Sequence, residues 1–239
     1  MMRRIILLLL SSLPFLSFKG EEPCTGTLKE CLKKMASVSK PQPGKACYMR
    51  LTIKKDMDGQ SKVPDSDVEA RITISEKAMA YDTDALSMYR DEEDAFTIIY
   101  SRRQVIWSKG SKPEYNSEAI KQMGGMQQEV IDQCAVQSCQ QINFKGIKAN
   151  KLTLAPPASY QKASKLTEMT FIYNAEERKI EQIDMKYAQG SALKEETVTF
   201  HEINFNYKGA VPKKVRNQVL TSSGQLLKQY KGYTLVDQR

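Results

Sequence analysis

The sequence predicts an α+β fold that is mainly β: a strongly curved antiparallel sheet of about ten to twelve strands, with an N-terminal helix and a mid-chain helical segment. Three observations carry this. Apolar and polar residues alternate in short runs through most of the chain, the period of half-buried strands. Apolar residues spaced three and four apart occur near the N-terminus and once in the middle. The strand count exceeds what a flat open sheet carries, so the sheet has to curve or close. The 239 residues, 41% apolar and 27% charged, suffice for one ordinary domain or one large all-β domain with a sizeable core. There is no collagen-like repeat and no low-complexity tract, and the cysteines are too sparse for a small disulfide scaffold.

Residues 1–20 start with Arg3 and Arg4, continue with the apolar run 5–10, and reach Pro14 and a second short apolar patch at 13–18. A charged start before an apolar stretch too short for an ordinary membrane span is the layout of a secretory signal peptide, read here as cleaved to leave one domain, 21–239. No A-x-A-like pair precedes Glu21, so an uncleaved anchor is the alternative. Cys24 follows Glu22-Pro23 and is a poor acylation site. Export places Cys24, Cys31, Cys47, Cys134 and Cys139 in an oxidising space where disulfides persist. Five is odd, so at least one stays outside an intrachain bridge. Cys134 and Cys139 could close a local loop, and Cys24 could reach Cys31 or Cys47; the spacing leaves the connectivity open. No second ligand pair accompanies C-x4-C and no C-x-x-C is present, so bridging outranks a metal or redox motif.

Removing Arg3, Arg4 and Lys19 lowers Lys+Arg from 36 to 33 against 28 acids, so the formal charge falls from +8 to +5. The bases are scattered, without an arginine-rich stripe or an aromatic nucleic-acid motif, and nucleic acid is not expected as a partner. His201 is the single histidine, which excludes two-His metal sites, HExxH proteases and His relays.

Along the mature chain, Leu28, Cys31, Leu32, Met35 and Val38 fall three or four apart within 25–39, the stripe of an amphipathic helix that needs an apolar surface beneath it. Pro41, Pro43 and Gly44 end it. The period then becomes two: Cys47, Met49, Leu51 and Ile53 alternate with Tyr48, Arg50, Thr52 and Lys54. After a turn at Asp56-Met57-Asp58-Gly59, Val68, Ala70, Ile72 and Ile74 alternate again; no Glu stands at the distance a calcium loop requires. Strands follow at 77–81, 86–90, 95–100 and 104–108 as an antiparallel meander. The link Asp91-Glu92-Glu93-Asp94 reads as a solvated hairpin tip.

Asn116 or Ser117 can cap a helix running through Ile120, Met123, Met126, Val130 and Ile131 to about residue 136, divided at Gly124-Gly125. This segment is placed to cover one mouth or face of the sheet. Strands resume at 141–144, 149–154, 168–174, 179–187, 195–207, 216–220 and 226–236, with turns at 174–178 and at Ser222-Ser223-Gly224. Parity shifts between Val198/Phe200 and Ile203/Phe205/Tyr207, so a bulge is expected at His201-Glu202.

The run Ile180-x-x-Ile183-x-Met185, Gly190, then Val198-x-Phe200-x-x-Ile203-x-Phe205-Asn206, within this order of leader, helix, meander, helical cover and second meander, resembles the periplasmic outer-membrane lipoprotein carriers, the LolA/LolB-like group, over residues 26–210. The resemblance implies a half-open barrel whose concave apolar face holds acyl chains beneath helices. It makes 21–239 a single LolA-like lipid- or lipoprotein-binding domain in the periplasm of a Gram-negative envelope. The partners it implies are a lipid or lipoprotein acyl chain, an envelope protein that opens the cover, and transient membrane contact.

The candidate lining is drawn from alternating strand positions: Met49, Leu51, Ile72, Ile74, Phe96, Ile98, Trp107, Met169, Phe171, Ile183 and Met185, with Met123 and Met126 on the lid. Independently of the resemblance, flexible thioethers mixed with aromatics suit varied apolar ligands. The same residues also make an ordinary core, and the sequence leaves open which parity faces inward. Family carriers use an arginine to hold the cover closed; Arg50 shares the polar parity of Tyr48 and Thr52 and reads as a solvated outer-face residue.

No G-x-S-x-G, S-x-x-K, P-loop or dinucleotide glycine pattern is present, and the acids crowd into turns, so neither an enzyme nor a cofactor is expected. A lone His201 without a partner reads as structural. Two functions follow. The first is a carrier or chaperone that binds an apolar acyl chain non-covalently. The second is a non-enzymatic envelope assembly or interaction protein with a filled sheet interior.

Overall fold

The computed structural model describes residues 23–37, 43–59, 61, 64–110, 128–209 and 214–239. The expected signal peptide and the lid candidates Met123 and Met126 lie outside the described residues. Twelve strands form one mixed sheet: β1 (Ala46–Met57), β2 (Ser66–Ser75), β3 (Ala78–Asp82), β4 (Leu86–Asp91), β5 (Asp94–Ile99), β6 (Gln104–Lys109), β7 (Ala135–Phe144), β8 (Ile147–Ala155), β9 (Leu166–Asn174), β10 (Lys179–Tyr187), β11 (Leu193–Tyr207) and β12 (Thr234–Asp237). Their order is β12-β6-β5-β4-β3-β2-β1-β11-β10-β9-β8-β7, and the curved sheet is not closed into a barrel.

Two antiparallel meanders, β1 to β6 and β7 to β11, are therefore laid side by side. They meet where β1 pairs with β11, from Ala46↔Tyr207 to Met57↔Leu193. Along this seam Arg50 pairs with Glu202 and Leu51 with Phe200, so His201 is the extra residue of a bulge, as the parity shift in the sequence indicated.

Helix α1 (Pro23–Ser37) occupies the expected amphipathic stretch. Helix α2 (Gln128–Gln133) ends earlier than expected: the Cys134 N–H closes onto the Ile131 carbonyl, and β7 begins at Ala135, six residues before the expected strand at 141. Helix α3 (Ala158–Ser164) has no apolar period to announce it; it follows Pro156-Pro157 and stops at Lys165, whose φ of 63° is the left-handed conformation of a helix end.

The C-terminal strand pair is corrected. Residues 216–220 hold helix α4 (Arg216–Val219), and 226–236 hold an isolated bridge Leu220↔Leu226, a 3-10 turn at Lys228–Tyr230 and the start of β12. β12 runs parallel to β6, so the sheet is not wholly antiparallel. Here Val215 and Val219, four residues apart, are buried together with Leu220, whose backbone is already extended.

Register assigns every strand position to a side, because residues directly opposite each other point the same way. Cys47, Met49 and Leu51 face Ile74, Ile72 and Ala70. The same side continues through Phe200, Val198, Ile183, Phe171, Met169, Leu152 and Leu154. With Leu28, Cys31 and Leu32 of α1 these residues form the larger core, and we call this side the inner face. Toward the other end, Ile72↔Tyr81 and Tyr81↔Met88 keep Tyr81 and Met88 on the inner face, while Ala80↔Tyr89, Tyr89↔Phe96 and Phe96↔Trp107 run along the outer one. There Phe96, Ile98, Val105 and Trp107 form a second core with Val215, Val219, Leu220 and Tyr230.

Candidate functional site

Of the candidate lining, Met49, Leu51, Ile72, Ile74, Met169, Phe171 and Ile183 come together on the inner face, all buried, with Met185 half-buried beside them. Phe96, Ile98 and Trp107 do not join them. They lie across the thickness of the sheet, under the C-terminal segment, and the single lining expected from strand parity is thus two separate apolar layers. Each strand's own alternation was legible in the sequence, but relating one strand's parity to the next requires the register across every hairpin.

Sequence reading missed a stripe that extends the inner face past the core: Met79, Tyr81, Leu86, Met88, Ile99 and Ile106 share that side and are each half-buried. The available signal was that 86–90 and 104–108 are apolar on both parities, as strands covered on two faces are. Burial raises the Tyr81 hydroxyl above its ordinary value, and burial pushes Tyr187, at the far side of the same face, up to about 12. Neither is a candidate proton donor or acceptor near neutral pH; the face offers apolar contact.

The cover over the core is α1, and its fastening is covalent. Cys24 is bridged to Cys139 in the middle of β7. This corrects the local Cys134–Cys139 loop and the Cys24 pairing with Cys31 or Cys47: α1 folds across β8 to β10 and delivers its first turn to the edge strand, a contact between residues far apart in sequence. Tyr173 donates its hydroxyl proton to the Cys24 carbonyl at 2.7 Å, and Lys34 Nζ donates to the Glu177 carbonyl at 2.7 Å. Arg178 Nε lies 3.1 Å from Glu30 Oε2, and Lys29 Nζ lies 3.2 Å from Asp132 Oδ1 next to β7. The β9–β10 turn that supplies Glu177 and Arg178 is shaped by Asn174, whose Oδ1 accepts the Glu176 and Glu177 amide protons. Cys31 and Cys47 are buried thiols, pushed up to about 11 and about 12 by burial; Cys134, half-buried and outside the bridge, is also raised to about 11 by burial.

In the acidic turn between β4 and β5, Glu92 and Glu93 are exposed as in a solvated tip, but Asp91 and Asp94 are not. Asp91 and Asp94 are only 7% and 5% exposed. Asp91 Oδ1 accepts the amide protons of Glu93 and Asp94, and its Oδ2 accepts that of Val215, so this carboxylate ties the C-terminal segment to the sheet. Asp94 Oδ1 accepts the Trp107 indole proton at 2.6 Å. Gly110 is required here: a Cβ would stand 2.4 Å from the Asp91 carbonyl oxygen and the Asp94 nitrogen. Trp107 stacks on Phe96 and carries the guanidinium groups of Arg216 and Arg239 over its ring.

His201 is exposed on the outer face and shares a 2.7 Å hydrogen bond with Thr52. Arg50 is likewise on the outer side, 3.9 Å from Glu69, away from α1. Among the described residues no group of three or more His, Cys, Asp or Glu side chains is placed to hold a metal ion, and no described helix is long and apolar enough to cross a membrane.

No family model matches this sequence, and no curated protein matches it. Solved structures with a similar chain path include lipoprotein LppX of Mycobacterium tuberculosis, 11% identical over 77% of this chain and 96% of LppX, with a TM-score of 0.49. A LolA superfamily protein of Nitrosomonas europaea is 8% identical over 79% of this chain and 96% of its own, with a TM-score of 0.35. An uncharacterized conserved protein of Thermus thermophilus is 6% identical over 86% and 96%, with a TM-score of 0.43.

Proposed function

We propose that this protein is an exported carrier that binds the acyl chain of a lipid or lipoprotein on the inner face of its sheet, without a covalent step. The observation that carries the reading is the half-buried apolar stripe Met79, Tyr81, Leu86, Met88, Ile99 and Ile106, continuous with the core under α1. At the Phe96 and Trp107 end of the sheet the outer face is already filled by the C-terminal segment; on the inner face, each methylene of a bound chain taken out of water contributes about 0.8 kcal/mol. The methionines along this face let one surface accept chains of different shape. Release then requires something that lifts the chain off, and an envelope partner protein is the candidate.

The test is native mass spectrometry with lipid extraction on the protein purified from its own envelope fraction. A co-purifying acylated species is expected, lost when the half-buried Met88 and Met185 are both replaced by Glu while the circular dichroism spectrum is unchanged. A protein that is empty, with no acylated species in the extract, overturns the reading.

One observation favours the second reading, an assembly or interaction module with a filled interior. Leu28, Cys31 and Leu32 of α1 already occupy the surface over Met169, Phe171 and Ile183. Under that reading, a hydrophobic probe titrated into the purified protein finds no saturable site.

A further inference from the structure

We propose that Arg90 is a head-group anchor on the inner face: it holds the carboxylate or phosphate of a free anionic lipid whose chain lies on the apolar stripe. This rests on the carrier reading and names its ligand class. Register puts Arg90 on that side. It stands opposite Met79 of β3 and Ala95 of β5, in line with Ser108 of β6, and shares its face of β4 with Leu86 and Met88. Its sequence neighbours Tyr89 and Asp91 point to the outer face, where the Asp91 carboxylate is taken up by the Glu93, Asp94 and Val215 amides.

Charge sets this position apart. Of the described strand positions on the inner face from β2 to β6, Arg90 is the single charged one, and the others are apolar or neutral. The acids of β2 and β3, Asp67, Glu69 and Asp82, lie on the outer side, where Glu69 pairs with Arg50 and Arg71. A guanidinium stays charged wherever the fold is stable, and its planar fork meets a carboxylate or phosphate through two parallel N–H···O bonds. Half-buried beside the half-buried Met79 and Met88, it is less screened by water than one in open solvent.

The placement also gives the ligand a direction. Along β4 the stripe runs from Arg90 past Met88 to Leu86, a span of about 14 Å for an extended strand. Ile99 stands opposite Leu86, and Ile106 lies on the next strand. A lipid with its charge at Arg90 therefore lays its chain over Met88 toward Leu86 and Ile99; turned round, it sets the charge on apolar side chains, which costs desolvation without a partner. An acyl chain joined to a protein through an amide or ester is neutral at that end and leaves the guanidinium unmatched. The anchor thus selects a free lipid over a lipoprotein.

Calorimetric titration of the delipidated protein with dodecanoate, dodecyl phosphate and dodecanol tests this. Both anions are expected to bind about tenfold or more tighter than dodecanol, the share of a charge-assisted pair. Arg90→Met keeps an apolar stem; it is expected to remove that difference and to leave dodecanol binding unchanged, which also shows that the variant is folded. Equal affinities for dodecanoate and dodecanol, or an Arg90→Met variant that still prefers the anions, overturns the anchor and leaves the carrier reading standing. A variant that loses dodecanol as well assigns Arg90 to the apolar site and overturns the anchor too. Inorganic phosphate that binds as tightly as dodecyl phosphate reduces the site to one for a free anion, against the proposal. Native protein that binds none of the three dodecyl probes overturns both the anchor and the carrier reading.

Discussion

Cys24 in α1 and Cys139 in β7 are joined across 115 residues of sequence, with their Cα atoms 6.5 Å apart, so the helix that covers the inner face is stapled to the far edge of the sheet. Closing a loop of that length limits the unfolded chain, and in the chain-entropy account is worth roughly 4 to 5 kcal/mol. Replacing both cysteines by Ser is expected to lower the unfolding free energy by about 4 kcal/mol. Denaturant titrations of the variant, and of the native protein with and without reductant, measure it; equal midpoints in all three would show that the hydrogen bonds and ion pairs at α1 are a sufficient fastening.

Leu28 and Leu51 are both fully buried and meet in the same core, one from the cover and one from the sheet. Large-to-small changes at such positions remove contacts that the surroundings recover only in part. Leu51→Ala is expected to cost about 3 kcal/mol of global stability. Leu28→Ala is expected to act first on the cover, raising amide exchange in α1 more than in β5 and β6. Uniform exchange across both regions would show that cover and sheet unfold as one unit.

Trp107 is the only tryptophan and belongs to the outer core. Its emission therefore reports the C-terminal segment and not the inner face. Deleting residues 234–239, which removes β12 and the Arg239 guanidinium over the indole ring, is expected to red-shift the emission. Titration with a long-chain fatty acid is expected to leave it unchanged. A ligand-induced shift would place the acyl chain on the wrong side of the sheet for the carrier reading.

The thiols of Cys31 and Cys47 are raised from the ordinary 9.0 to about 11 and about 12, in both cases chiefly by burial. The sign is that of a group held neutral by folding: the native protein binds the protons more tightly than the unfolded chain, so stability falls as pH rises above about 9 and the loss is complete near 12. Stability curves between pH 8 and 11.5 in urea are expected to slope downward, with a smaller slope for Cys47→Ala. An unchanged slope in that variant would assign the alkaline loss to other groups.

Much of the fold is legible from local pattern. The helix at α1, both meanders, the turn at Asn174 and the bulge at His201 each follow from residues within a few positions of one another, where side-chain period and turn chemistry act. The C-terminal segment reads wrongly because its apolar residues suit either a strand or a short helix, and packing against Phe96 and Trp107 decides between them. Asp91 and Asp94 read as solvent-facing because their partners, the Val215 amide and the Trp107 indole, lie on other elements. The same holds for Cys24, whose partner no spacing rule could select.

By itself the sequence determined a mainly β chain with one amphipathic helix and apolar strand faces, since periodicity is a property of neighbours along the chain. Only the tertiary structure decided that Phe96, Ile98 and Trp107 lie on the opposite face from Met49 and Phe171, and that α1 is stapled to β7. The physical reason is that a side chain's face depends on the register of every intervening pair, and one residue of slip reverses it.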